Sequence, residues 1–186
     1  MGLRDVTHDL RAGFLLKHVK RFELLSAVDS VIDIGAGNGR LSLAFQKEFG
    51  CNITIADVVN VLPKSSPLAF LRVVNECNIP VNDKLFDVAL LIDVVHHVPY
   101  AKQEVLLSEA ARVAQRVIII DTLPSIAAVG IDCVNKLQGM ITPFAFRSWN
   151  KWKILAKERG YVLNEIKCKW WYPLRHVILH SEEQKK

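Results

Sequence analysis

The stretch "VIDIGAGNGRLSLAF", from Val31 to Phe45, places three glycines at alternate positions between a β-forming run and a helical pattern. Glycine adopts positive φ readily, and it lets a ligand touch the main chain because it has no Cβ. A turn that is merely tight needs only one or two glycines. Three of them, Gly35, Gly37 and Gly39, favour a ligand that lies against the backbone where the first strand ends.

Strand-like and helix-like segments alternate along most of the chain. Short apolar runs predict strands at 31–34, 52–59, 69–75, 86–93 and 116–121. Helical spacing of apolar residues predicts helices near 6–25, 41–49 and 102–113. This alternation implies βαβ units with a parallel sheet.

The C-terminal part follows a different pattern. Ser148 is a candidate N-cap and Gly160 a candidate stop for a helix, with Trp149, Trp152, Leu155 and Ala156 on one face. Two strands follow near 161–169 and 175–180, and their short connection suits an antiparallel hairpin. We therefore predict an α/β fold: a Rossmann-like, doubly wound sheet, mostly parallel, with a C-terminal antiparallel hairpin and helices on both faces.

Composition and the first residues indicate the class of protein. Of the 186 residues, 51% are hydrophobic and 23% are charged, which is an ordinary globular balance. There is no uncharged apolar run near the ~18 residues that a membrane helix needs. The start "MGLRDVTHDL" is too charged for a secretory signal, and Val6 breaks the myristoylation pattern. We predict a soluble, cytoplasmic protein with no membrane insertion.

Charge and cysteine content bear on partners and metals. The net charge of +5 suits an anionic partner such as nucleic acid, but lysine and arginine are spread along the chain, which makes nucleic acid the less favoured partner. Four cysteines lie far apart without a C-x-x-C pair, which argues against a zinc ribbon: Cys51, Cys77, Cys133 and Cys168. No metal site is predicted.

The spacing around the glycines narrows the choice of ligand. A dinucleotide site needs a small residue where Arg40 stands, so the G-x-G-x-x-G pattern is broken. Asp33 precedes the turn, and an acid there suits a ligand with an ammonium group. Asp57 ends the second strand 18 positions after Gly39, where an acid binds ribose hydroxyls. A ribose together with a cationic tail suggests S-adenosylmethionine.

The quoted stretch resembles motif I of the class I S-adenosylmethionine-dependent methyltransferases. "ITIADVV" resembles the acidic strand that follows that motif. "NECNIPVNDKLFDVALLIDVVHHV" is similar to the next stretch of the ubiquinone and menaquinone type of small-molecule methyltransferases, and "FRSWNKWKILAKERGY" to their late helix. The resemblance covers about residues 31–161.

The resemblance implies a set of cofactor contacts. The loop Gly35, Ala36, Gly37, Asn38 and Gly39 would lie under the methionine part of S-adenosylmethionine. The other implied contacts are Asp33 with the amino group through water, Asp57 with the ribose, Val58 and Glu76 with the adenine, and Ile92 and Asp93 beside the sulfonium. Asn75 stands where the family has an aspartate facing the adenine amino group; its carbonyl can accept the same hydrogen bond, with weaker or altered binding.

Two adjacent histidines are the candidates for proton transfer. Methyl transfer needs a base only if the acceptor arrives protonated, and histidine titrates near neutral pH. His96 or His97 is either such a base or a structural residue. Asp121, at the end of the fifth strand, either orients a histidine or caps the segment that follows.

The whole chain, 1–186, is predicted to be one methyltransferase domain. It comprises an N-terminal helical cap (1–28), a cofactor-binding half (29–122), an acceptor-side segment (123–147) and a C-terminal helix and hairpin (148–186). The mostly apolar acceptor-side segment suggests a small, partly apolar methyl acceptor that reacts at O, C or N. An RNA-directed methyltransferase and a non-catalytic S-adenosylmethionine-binding scaffold are the alternatives.

Overall fold

One seven-stranded sheet organises the structure. The structure is a computed structural model and describes residues 3–74, 78–137, 143–167, 169 and 173–181. The strands are β1 (Ser30–Ile34), β2 (Asn52–Asp57), β3 (Ala69–Arg72), β4 (Phe86–Ile92), β5 (Ala114–Thr122), β6 (Tyr161–Ile166) and β7 (His176–Ser181). Their order across the sheet is β3-β2-β1-β4-β5-β7-β6.

The helices cover both faces of the sheet. They are α1 (Leu3–Arg21), α2 (Arg40–Phe49), α3 (Tyr100–Val113), α4 (Ile126–Leu137) and α5 (Trp149–Arg159), and a 3-10 turn spans Val95–His97. Apolar residues of α1 and α2 pack with one face of the central strands. Apolar residues of α3 and α5 pack with the opposite face. The predicted α/β fold with helices on both faces is confirmed.

The strand directions create one switch point in the sheet. β1 pairs in parallel with both β2 and β4, and β4 pairs in parallel with β5. β7 is antiparallel to β5 and to β6, so the predicted C-terminal hairpin is confirmed. The chain leaves β1 toward β2 on one side and later returns to β4 on the other. The turn after β1 therefore lies in the crevice where open α/β sheets bind ligands.

Several predicted boundaries need correction. The first helix ends at Arg21 rather than near residue 25, although Leu24 and Leu25 beyond it are buried. Strands β2 and β3 are shorter than predicted, since β2 ends at Asp57 and β3 at Arg72. No helix forms in the connection 58–68, so the alternation of strands and helices is incomplete between β2 and β3.

Helices α2 and α5 end, and α5 begins, at the capping residues that the sequence contains. Gly50 and Gly160 both adopt the left-handed conformation that closes α2 and α5, with φ of 72° and 64°. The Ser148 hydroxyl accepts the N–H of Lys151, as expected of an N-cap. Among the described residues, no helix combines the length and apolarity needed to cross a membrane.

Candidate cofactor-binding and active site

The three glycines after β1 serve different physical purposes. All three have positive φ. A Cβ on Gly35 would lie 2.8 Å from the Val94 side chain, and one on Gly39 would lie 2.6 Å from Leu62 and 2.7 Å from Ile55. A Cβ on Gly37 would meet no atom within 4 Å. Packing inside the protein therefore accounts for Gly35 and Gly39, whereas Gly37 borders open space.

Alanine at Gly39 is expected to destabilise the fold by about 3 kcal/mol. Left-handed strain costs roughly 1–2 kcal/mol, and forcing a methyl group into occupied space adds roughly 1–3 kcal/mol. Gly37→Ala is the matched control, because it carries the same backbone strain with free space around the methyl group. Urea denaturation measures both variants; equal losses of stability would contradict the packing argument.

A cavity of about 420 Å³ opens beside the glycine turn. It lies between the carboxyl ends of β1 and β2 on one side and the segment from β4 to α3 on the other. Five predicted site residues line it: Gly35, Asp57, Val58, Asp93 and His97. The remaining lining is apolar and was not predicted: Ile34, Ala56, Val73, Val94, Val98, Pro99 and Leu106. An apolar cavity with few polar groups is typical of a small-molecule site.

Asp57, the last residue of β2, forms a hydrogen bond with the glycine turn that follows β1. Its carboxylate accepts the Gly37 N–H at 2.9 Å and the Val58 N–H at 2.7 Å. Asp57 also lines the cavity, so the residue that orders the turn is one of the few polar residues in the cavity wall. This is the position from which the predicted contact with a ribose would be made.

Asp33 lies beneath the turn and is almost fully buried. One carboxylate oxygen accepts the Ser42 hydroxyl at 2.6 Å, and the other has no hydrogen-bond partner among the described residues. Burial is the main cause that raises the pKa of Asp33 to about 7. The negative charge of Asp57 raises this pKa further, and the hydrogen bond from Ser42 lowers it in part. A cationic ligand beside this group would favour its charged form.

The raised pKa of Asp33 predicts a loss of stability as pH rises. The folded protein holds the Asp33 proton up to about pH 7, whereas the unfolded chain releases it near 3.8. Between those values the unfolded state binds fewer protons, so the free energy of unfolding falls with pH by about 1.4 kcal/mol per pH unit at the steepest. Asp33→Asn is expected to remove this slope, which denaturation from pH 4 to 8 measures. If the free energy of unfolding depends on pH equally in both proteins, the raised pKa does not belong to Asp33.

Asp93, directly after β4, is the centre of a buried polar network. It has positive φ of 52°, which is strained for a residue other than glycine. Its carboxylate forms an ion pair with Arg11 of α1, accepts the Thr122 hydroxyl at 2.6 Å and lies 3.4 Å from His176 Nε2. Although burial alone would raise the pKa of Asp93, Arg11 and His176 hold it well below its usual range.

The two histidines differ sharply in their surroundings. His96 is buried; its Nδ1 bonds with one Asp121 oxygen and its backbone N–H donates to the other at 3.1 Å. Although burial alone would lower the pKa of His96, Asp121 outweighs it and raises that pKa to about 9. Burial and the neighbouring His96 lower the pKa of His97, which lines the cavity. Asp121 thus bonds with His96 and also accepts the Thr122 N–H, whereas the Ser125 hydroxyl accepts the Ala128 N–H at the start of α4.

Two further residues fix the histidine turn, and the sequence did not single them out. The fully buried Gln103 amide donates to the carbonyl oxygens of Val95 at 2.9 Å and Val98 at 3.0 Å, at the two ends of the turn. Phe146 stacks on the His96 ring with centroids 4.7 Å apart and planes 12° apart. Helical spacing placed Gln103 in a helix, but no motif marked it as a site residue.

Several predicted site residues lie outside the cavity lining. Asn75 and Glu76 fall outside the described residues. Ile92 is buried next to Asp93, and Ala36 and Asn38 belong to the glycine turn. Asp33, Gly37, Gly39, His96 and Asp121 do not line the cavity either. The structure therefore brings Gly35 of the turn, Asp57, Val58, Asp93 and His97 together around one space.

Comparison with known proteins identifies the family. A family profile described as a methyltransferase domain matches residues 6–176, which is most of the chain. The chain belongs to this methyltransferase family. Membership confirms the predicted enzyme class and the predicted methyl donor, S-adenosylmethionine. None of the curated protein sequences compared with this methyltransferase matches it.

Solved structures agree with the fold of the methyltransferase. An S-adenosylmethionine-dependent methyltransferase from Archaeoglobus fulgidus superposes with a TM-score of 0.69 at 14% identity, covering 92% of this chain and 94% of that one. The magnesium protoporphyrin IX methyltransferase of Synechocystis, solved with S-adenosylhomocysteine, gives 0.62 at 16%, covering 95% and 84%. A Haloferax volcanii complex of a methyltransferase activator and a putative methyltransferase gives 0.68 at 13%, covering 97% and 94%. At these identities the likeness establishes the fold alone.

Proposed function

We propose that the methyltransferase transfers the methyl group of S-adenosylmethionine to a small, partly apolar acceptor. The observation that carries this proposal is the cavity of about 420 Å³, which joins the glycine turn, Asp57 and His97. Its walls are largely apolar, and its volume falls in the range of small-molecule sites. We take residues 1–186 to act as one domain; its cytoplasmic location stays a prediction.

The cofactor is proposed to lie along the glycine turn. Gly37, which borders open space, would contact the methionine part, and Asp57 would accept hydrogen bonds from the ribose hydroxyls. Val58, which is 42% exposed and lines the cavity, would pack on the adenine. Asn75 and Glu76 would form hydrogen bonds with the same adenine. Asp33 would balance the cofactor's amino group through water, and Ile92 and Asp93 would lie beside the sulfonium.

The acceptor is proposed to approach from the carboxyl ends of β4 and β5. Asp93 and Thr122 lie at these ends, where Asp93 pairs with Arg11 of α1 and accepts the Thr122 hydroxyl. Leu123, Ala128 and Phe146, which follow β5 in the chain, are buried apolar residues, and Phe146 stacks on the His96 ring. An acceptor with an apolar body and a reacting polar atom fits these surroundings.

The histidine pair is proposed to remove the proton from acceptors whose reacting atom is protonated. A lone pair on the acceptor attacks the methyl carbon, the carbon–sulfur bond breaks, and the pair in that bond stays on sulfur in S-adenosylhomocysteine. The acceptor's proton would pass to His97, because this histidine is the one that lines the cavity. Asp121 and His96 would position that ring from below, since the two imidazole centroids are 4.2 Å apart.

Two measurements test the proposed function. Calorimetry with S-adenosylhomocysteine is expected to give one binding site, and no binding would contradict the cofactor assignment. Release of S-adenosylhomocysteine is then followed with a panel of phenols, carboxylic acids, amines and carbon nucleophiles. Turnover is expected with at least one small acceptor. Turnover with tRNA alone, bound with an affinity that falls steeply with salt, would favour the RNA-directed alternative.

A further inference from the structure

Two histidines of one turn and an aspartate of a helix form a largely buried cluster next to the cavity. His96 and His97 belong to the 3-10 turn after β4, and Asp132 belongs to α4. One potential ligand atom of each residue lies within 4.8 Å of those of the other two. We propose that these three side chains bind a divalent transition-metal ion of the zinc class, in contrast to the metal-free site that the sequence predicted.

The donor set selects the class of ion. Two imidazole nitrogens with one carboxylate oxygen suit Zn²⁺ and its first-row neighbours, whereas Mg²⁺ and Ca²⁺ prefer oxygen ligands. Three protein ligands leave a coordination position open, as in catalytic rather than structural zinc sites. His96 and Asp132 are only 4% and 2% exposed, so the ion would be shielded from bulk water.

Asp121 supplies the outer support that such a site needs. Its carboxylate bonds with Nδ1 of His96, which leaves Nε2 as the ring nitrogen available to an ion. A carboxylate behind a metal-binding histidine fixes the tautomer and the ring orientation. Phe146 stacks on the same ring and restricts its rotation further.

His97 provides a second, independent observation. Its Nδ1 is buried and has no hydrogen-bond partner among the residues that the structure describes. A buried polar atom without a partner costs roughly 1–3 kcal/mol. Coordination of an ion would remove this cost. It would also occupy a lone pair on His97, so a bound ion would compete with the proton transfer proposed above.

Metal binding can be measured without any activity assay. The protein is treated with a chelator and titrated with Co²⁺, followed by visible absorption, and with Zn²⁺, followed by calorimetry. We expect one saturable site. His97→Ala and Asp132→Asn remove ligands and are expected to weaken binding at least about 100-fold. Asp121→Asn removes outer support and is expected to weaken it about 10- to 100-fold.

Two control variants test for binding elsewhere. Cys133→Ser removes the exposed thiol next to Asp132, and His18→Ala removes a histidine of α1 outside the cluster. Both are expected to keep the wild-type metal affinity. Binding of S-adenosylhomocysteine by Asp132→Asn checks that this variant is folded and keeps the proposed function separate. Absence of a saturable site, or a loss of affinity in Cys133→Ser rather than Asp132→Asn, would overturn the proposal.

Discussion

An Asp57→Ala variant of the methyltransferase is expected to bind S-adenosylhomocysteine about 100-fold more weakly than the wild-type protein. Asp57 lines the cavity, and its carboxylate is proposed to accept hydrogen bonds from two ribose hydroxyls. A hydrogen bond to a charged group contributes about 1.5–3 kcal/mol. Loss of two such bonds at the lower figure removes about 3 kcal/mol, which corresponds to roughly 100-fold in the dissociation constant.

A structural effect adds to the loss of these contacts. The same carboxylate accepts the Gly37 N–H at 2.9 Å, so alanine also frees the turn on which the methionine part is proposed to lie. Asp57→Asn separates the two effects, because one amide oxygen can still accept the Gly37 N–H while the charge is lost. We expect this variant to bind with intermediate affinity.

Calorimetry gives the dissociation constant of S-adenosylhomocysteine for the wild-type protein, Asp57→Ala and Asp57→Asn. Glu48→Gln serves as the matched control. Glu48 is an acidic residue of α2 that pairs with Lys20 at the surface. Its substitution is expected to leave the dissociation constant unchanged. An unchanged constant in Asp57→Ala, with a normal unfolding transition, would show that the cofactor does not use this strand end and would remove the basis of the proposed site.

The parts of the fold that the sequence predicts are those with local signals. Short apolar runs place most strands, and the 3.6-residue spacing of apolar side chains, together with capping residues such as Ser148 and Gly160, places most helices. The short connection between the last two strands predicts their antiparallel pairing. Helix α4 carries no comparable end signals, and its apolar sequence indicated only a segment covering the site.

The features of the site that the sequence does not predict depend on distant contacts. The 3-10 turn at Val95–His97 is too short for a periodic pattern, and the Gln103 side chain binds the carbonyl oxygens at both its ends. The ion pair between Arg11 and Asp93 joins residues 82 positions apart. Family resemblance placed Asp93 near the sulfonium, but no pattern in the sequence links it to Arg11.

Removal of the Asp121 carboxylate is expected to have the largest effect on stability. Asp121 is 1% exposed, and it bonds with the His96 ring, the His96 backbone N–H and the Thr122 backbone N–H. Loss of one partner of a buried ion pair typically costs about 3–5 kcal/mol, because the remaining group keeps its desolvation cost without its compensation. We expect Asp121→Ala to lower the free energy of unfolding by this amount, as measured by urea denaturation.

A double variant distinguishes an unpaired charge from a general packing defect. His96→Phe together with Asp121→Leu replaces the pair with apolar groups, and the phenyl ring can still stack on Phe146. Apolar replacement of a buried ion pair is often neutral or stabilising, so we expect the double variant to recover most of the stability lost in Asp121→Ala.

If Asp121→Ala and the double variant are equally unstable, the cost arises from the lost backbone hydrogen bonds of Asp121 rather than from the isolated His96. If Asp121→Ala loses less than about 1 kcal/mol, the pair does not hold the histidine turn in place, and the positioning role proposed for Asp121 is wrong.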